Sequence, residues 1–198
     1  VAISSSVTTI EQGAFADCDS LSNIVISTSD ITIGMFAFYN TAYYNNENNW
    51  VDGVLYIGNH LINANTYISG NYIVKDGTIT IAEYAFHNCD KITSIIIPDS
   101  VTYIGSYAFQ NCSNLTNVVI GDNVASIHEY AFADCSSLTK IVIPHSVTFI
   151  SAYVFKNCNN LTDVYYTGTE EEWMEISIYG ANEYLTDATI HFNYVPEE

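Results

Sequence analysis

The sequence predicts an α/β solenoid, a single domain over 1–198 in which coils of one size stack along an axis. Three observations carry that prediction. Phe15, Phe38, Phe86, Phe109, Phe132 and Phe155 recur, with four of the five intervals equal to 23 residues. Cys89, Cys112, Cys135 and Cys158 keep the same step, and Cys18 follows Phe15 by three positions as each of the others follows its own phenylalanine. A short apolar alternation of strand type also returns at a fixed phase within each unit.

Aligned on that step, one unit reads V-x-x-I-x-x-x-A-F-x-[ND]-C-x-x-L-x-x-[IV]-x-I-P-x-S. Departures are few: Thr41 stands for the cysteine, Val154 for the alanine, and Ser27, Lys75 and Gly121 for the proline. In "LTNVVI" the alternation sends Leu115, Val118 and Ile120 to one side and Val119 to the other, a strand with one buried face. Pro98 and Pro144 end their strands because proline offers no ladder N–H. The segment "VTYIGSYAF" (101–109) is too short for an independent helix, so a turn or single helical turn carrying Ile104, Ala108 and Phe109 inward is expected. One such unit cannot cover its own apolar edge. Stacking does so, with strands ~4.8 Å apart in a parallel sheet.

"CDKITSIIIPDSVTYIGSYAF" (89–109) and "CSSLTKIVIPHSVTFISAYVF" (135–155) closely resemble the bacterial BspA-like leucine-rich-repeat family. The resemblance covers 1–40 and 72–166. It implies a right-handed β-α superhelix, with the parallel sheet concave and the short helical turns opposite. It also implies a cell-surface or secreted bacterial protein linked to adhesion and protein binding.

The cysteines occupy one phase per coil and read as a column of small buried side chains. No C-x-x-C pair gathers them for zinc, and a nucleophile would be single and partnered. The Asn or Asp before each (Asp17, Asn40, Asn88, Asn111, Asp134, Asn157) reads as turn stabilisation. Tyr84, Tyr107, Tyr130 and Tyr153 form a third column, read as an edge-packing ladder.

Residues from about 41 to 71 interrupt the repeat. "GVLYIGNHLINAN" (53–65) reads as a hairpin around Gly58-Asn59. Two readings stand: a functional loop, or a hairpin packed on the sheet edge. A cap is expected over 167–194. "TGTEEEWMEI" holds a capping box, Thr169 with Glu172, and Trp173 and Ile176 lie three apart to cover the core. "ATIHFNY" then supplies a closing strand. Val1 falls inside a repeat and "VPEE" ends like the start of a linker, so the sequence reads as a piece of a longer protein.

The 22 acidic residues face four lysines and no arginine, for a net charge of −18. Such a field repels phosphate backbones and anionic lipid surfaces, so neither nucleic acid nor membrane is an expected partner. The five histidines (60, 87, 128, 145 and 191) sit in no metal or triad motif, and His87 and His128 read as surface residues. No enzyme, cofactor or metal site is expected.

Alternation exposes one apolar residue per coil on the concave sheet: Val25, Ile73, Ile96, Val119, Val142 and Tyr165, with Ala2 first. Asn71, Ser94, Asn117, Lys140 and Asp163 flank that row. An apolar stripe with a polar rim marks an interaction surface, although β-branched residues also simply suit a sheet. The leading expectation is a non-enzymatic, monomeric adhesion module that docks a protein ligand on this row, extended by Trp50 of the insertion. A spacer or stalk is the alternative. A carbohydrate surface built from Tyr43, Tyr44 and Trp50 is a third.

Overall fold

Alternate apolar residues in each repeat make a strand whose inner side chains leave water: Leu115, Val118 and Ile120 are all buried. The computed structural model describes residues 1–196 and forms a solenoid of about eight turns. The last two residues of "VPEE" lie outside the described residues. Gly70–Ile73, Ile92–Ile96, Asn117–Val119, Lys140–Ile143, Asp163–Tyr166 and Thr189–His191 form one parallel sheet of six strands. Ala2–Ile3 and Val25–Ile26 form a separate parallel pair.

The opposite flank differs from the expected helical turns. It is a second parallel ladder, built from two-residue strands such as Thr80–Ile81, Tyr103–Ile104, Ser126–Ile127 and Phe149–Ile150. Turns follow each of these strands, and backbone geometry explains why no helix forms. Tyr107 and Asn111 have φ of 59° and 61°, in the left-handed region that an α-helix cannot contain. The N–H groups of Tyr107, Phe109 and Asn111 donate to Glu129, Ala131 and Ala133 of the next coil at 2.9, 2.8 and 3.0 Å. Hydrogen bonds run between coils where a helix would keep them within itself. The molecule is therefore a β-solenoid, and the two short α-helices among the described residues both lie near the C-terminus: α1 (Glu170–Met174) and α2 (Glu183–Thr186).

The recurrent columns have distinct causes. The phenylalanines stack face to face, Phe86 on Phe109 at 4.9 Å and Phe109 on Phe132 at 5.1 Å between centroids. Every Asn or Asp of the second column is left-handed, with φ between 55° and 62°, a conformation these short polar residues tolerate. Asn111 and Asn157 also donate their Nδ2 to Asn88 and Asp134 of the preceding coil, at 3.0 and 2.7 Å. Cys89, Cys112, Cys135 and Cys158 are buried, and Cys18 is exposed. The thiols do more than fill space. Cys112, Cys135 and Cys158 donate to the carbonyls of Phe86, Phe109 and Phe132 one coil back, at 3.2, 3.2 and 3.1 Å.

Val54–Ile57 and His60–Ala64 form the expected antiparallel hairpin. Its second strand also pairs in parallel with Thr80–Ile81, so the insertion is built into the short-stranded ladder. Glu83 N–H donates to Ile33 O at 2.9 Å, which joins the first coils to the later stack across the interruption.

At the C-terminal end, α1 carries the capping box: Thr169 Oγ1 accepts from Glu172 N, and Glu172 Oε2 accepts from Thr169 N at 2.8 Å. Trp173 packs edge-on to Tyr166, and Thr189–His191 closes the six-stranded sheet. Asn182 completes the short-stranded side. It is buried, its Oδ1 accepts from Phe155 N at 3.0 Å, and its Nδ2 donates to Ser151 O and Tyr179 O at 2.8 and 2.7 Å. One side chain thus replaces the backbone of a further coil.

His87 and His128 are half-buried against tyrosines, unlike the expected surface histidines, because their rings lean on Tyr84 of the turn column and Tyr103 of the short-stranded ladder. Burial holds both below the ordinary histidine value of 6.5.

Three outcomes are expected. Replacing Asn182 by alanine strands Phe155 N–H and two carbonyls and should lower unfolding free energy by about 3 kcal/mol in urea titration. Burial pushes the Cys89 thiol up to about 12 and raises Cys135 and Cys158 as well, and Cys112 is buried beside them, so a thiol reagent at neutral pH should modify only Cys18 until the chain unfolds. The two histidines favour the folded state most above their unfolded value of 6.5, and that contribution is lost as pH falls below it through their lower folded values. The urea midpoint of an H87Q/H128S variant should therefore fall less between pH 7.5 and 5.5 than that of the parent.

Candidate functional site

The six-stranded sheet sets the register of the outward-facing residues. Ile73, Ile96, Val119, Val142 and Tyr165 lie opposite one another on successive strands, and His191 continues the row. Asn71, Ser94, Asn117, Lys140 and Asp163 form the parallel polar row. Exposure is uneven along the apolar line. Ile73 is 65% exposed and Ile96 40%, Val119 and Tyr165 are half-buried, and Val142 is only 5% exposed. Val142 is therefore not the open contact residue that alternation implied. It lies in register between Val119 and Tyr165, and Tyr165 is bulky enough to shield a neighbouring rung.

Val25 is exposed but pairs only with Ala2, in the detached pair of strands, so it stands apart from the continuous row. Trp50 is also displaced. Trp50–Val51 forms the outer edge of the other ladder, and the Trp50 indole donates to Tyr44 O at 2.8 Å while meeting the Tyr44 ring edge-on. Tyr43 donates its hydroxyl to Tyr56 O at 2.9 Å. This trio binds the insertion to itself and offers little free aromatic face.

The insertion nevertheless reaches the row through other residues. Val51, Asp52 and Tyr56 meet Tyr72, Ile73 and Lys75 around a cavity of about 260 Å³. Val51 and Ile73 present exposed aliphatic surface at its mouth. The Tyr56 hydroxyl is buried without a hydrogen-bond partner among the described residues. Burial, with the adjacent Tyr56 hydroxyl, holds the Tyr72 phenol far above its usual range, so it stays protonated. Lys75 Nζ lies 5.9 Å from the Tyr56 ring centre. An apolar mouth with a few convergent polar groups suits an anchoring side chain.

The far end of the row is aromatic. His191 stacks on Tyr165 at 4.6 Å, Tyr194 leans on the same ring, and His191 Nε2 lies 2.7 Å from Asp163 Oδ1. That bond, then one from Thr162, holds the Asp163 carboxyl below its usual value. Sequence reasoning missed His191 because the step from Tyr165 is longer than the repeat. Aligning Ile190 with Val164 would have found it.

On the other flank, Tyr84, Tyr107, Tyr130 and Tyr153 form the expected ladder, with successive rings 4.6, 4.8 and 4.9 Å apart. All four have φ between 54° and 63°, a left-handed conformation costing roughly 1–2 kcal/mol per residue. Ring stacking returns about 0.5–1.5 kcal/mol per pair. No group of three or more His, Cys, Asp and Glu converges as a metal site among the described residues. No helix among them is long and apolar enough to cross a membrane.

Comparison with known proteins agrees with this architecture. A family model described as the BspA type leucine rich repeat region matches six copies, over residues 1–73 and 64–183. A leucine rich cell surface protein from Faecalibacterium prausnitzii A2-165 superposes with a TM-score of 0.53 at 25% identity, covering 90% of this chain and 62% of that one. The T. pallidum leucine rich repeat protein gives a TM-score of 0.50 at 29% identity, covering 54% and 51%. The chain thus spans less than two thirds of either structure. No curated protein matches the sequence. The register of its coils and the match along most of its length together place this chain in the BspA-type leucine-rich-repeat family.

Proposed function

We propose that this chain is a non-catalytic, cell-surface or secreted binding module that docks a protein ligand along Val51, Ile73, Ile96 and Val119. The observation that carries the reading is an uncovered apolar row, fixed in register, that runs into the cavity between the sheet and the insertion. Stripes of this kind, rimmed by polar residues, are how interaction surfaces differ from ordinary ones. The cavity would take one apolar anchor, and the flat row would take the extended surface beside it. A net charge of −18 favours a partner with a basic face, since complementary charge speeds encounter. Repeat proteins of this family act as surface scaffolds, and the F. prausnitzii structure is named as a cell surface protein, which supports the same location here.

Binding of the chain to immobilised purified extracellular-matrix and plasma proteins tests the proposal. An I73T/I96T/V119T variant should keep its circular dichroism and lose roughly tenfold or more in affinity for whichever protein the parent binds. Equal affinity in the variant would remove the row from the site. Failure of the parent to bind any of them would favour the spacer reading.

A further inference from the structure

The tyrosine ladder stops without being closed. Its position in the turn is occupied by Gly13 and Phe36 in the first coils, by four tyrosines in the middle, and by Ala181 at the end, with φ of 62° against 63° for Tyr153. Tyr153 N–H donates to Gly180 O at 3.1 Å, so the final coil is in register at this position and carries no ring there. The outer face of Tyr153 is left open, and the residue is 38% exposed. Lys156 does not cover it. Its Nζ is 5.8 Å from the Tyr130 centre and 5.6 Å from that of Tyr153, which places it beside the stack between those rungs.

The Asn/Asp column ends at the same level. Asn157 gives its Nδ2 to Asp134, yet its Oδ1 accepts no hydrogen bond among the described residues, because α2 replaces the turn that would have carried the next donor. The N–H groups of Asn88, Asn111 and Asp134 each donate to the following coil, and that of Asn157 has no such backbone acceptor among the described residues. These two unfinished ladders share one cavity of about 500 Å³, which Tyr184, Glu183 and Asp187 of the cap also line.

We infer that this cavity is a binding site for a neutral hexose ring, which takes the place of the absent aromatic rung. A pyranose presents a face of C–H bonds that stacks on an electron-rich phenol and an edge of hydroxyls that donate and accept. On the rim Asn157 Oδ1 and the carboxylates of Glu183 and Asp187 outweigh the single ammonium of Lys156, which suits a ligand with many donors. An uronic or sulfated sugar would meet those carboxylates and a net charge of −18. The site is separate from the apolar row of the six-stranded sheet and from the Trp50 cluster.

Saturation-transfer NMR with the methyl glycosides of glucose, galactose and mannose, and with their disaccharides, tests the assignment. The parent should bind at least one at millimolar concentration, with Tyr153 signals perturbed. Y153N removes the ring at a φ that asparagine tolerates, and A181Y supplies the missing rung. Each should weaken binding roughly tenfold or more, while I96T binds as the parent does. Thermal unfolding near the parent midpoint verifies that each variant is folded. Binding by Y153N equal to the parent, or no saccharide bound, would overturn the proposal. N-acetyltyrosinamide bound in the absence of any sugar would overturn it too and assign the slot to an aromatic side chain of a protein.

Discussion

Each coil leaves two things unfinished that only the next coil completes: a row of backbone N–H and C=O groups, and one face of a buried phenylalanine. The N–H of Phe86 reaches Ala108 O at 2.7 Å and that of Phe109 reaches Ala131 O at 2.8 Å, while the rings themselves stack coil on coil. A buried peptide group without a partner costs as much as the bond it fails to make, so the spacing between coils cannot drift. The cysteine column belongs to the same constraint. Its thiols sit at the phenylalanine carbonyls, which ties the end of the turn in one coil to the middle of the turn in the one before.

That dependence makes every end and every break a structural problem. At the C-terminus Asn182 copies the donors and acceptors of a missing backbone, and α1 lays Trp173 over Tyr166. At the interruption a hairpin inserts its second strand into the ladder in place of a regular coil. The Cys89 thiol there lies near the carbonyls of Ala64 and Asn65, at 4.0 and 3.8 Å, where its counterparts find a phenylalanine at shorter range. The hairpin substitutes for a coil with looser geometry, and the cavity beside Ile73 lies at that imperfect join.

Surfaces in such a molecule are columns, and a column becomes a site where it is left open. Most of the Asn and Asp side chains, the cysteines and the phenylalanines satisfy one another from coil to coil. The apolar row differs because its outer side has no partner layer, and the tyrosine ladder differs because its last rung is an alanine. Left-handed tyrosines are a costly way to make a turn that glycine makes freely. Four in succession, with parallel rings, show that packing between turns outweighs the backbone preference of each one.

Sequence periodicity alone determined the repeat, the inward residues such as Leu115 and Phe109, the cysteine column, the hairpin at Gly58-Asn59 and the capping box at Thr169. These follow from local rules of phase and turn chemistry. The second ladder was invisible because two-residue strands such as Tyr103–Ile104 carry no alternation and exist only by pairing with their neighbours. The candidate row was legible in its register but not in its exposure. The burial of Val142, the isolation of Val25 and the place of Trp50 on the other flank depend on which coils adjoin. Tertiary structure decided those points because exposure belongs to a side chain together with its neighbours in space, and the insertion chooses those neighbours.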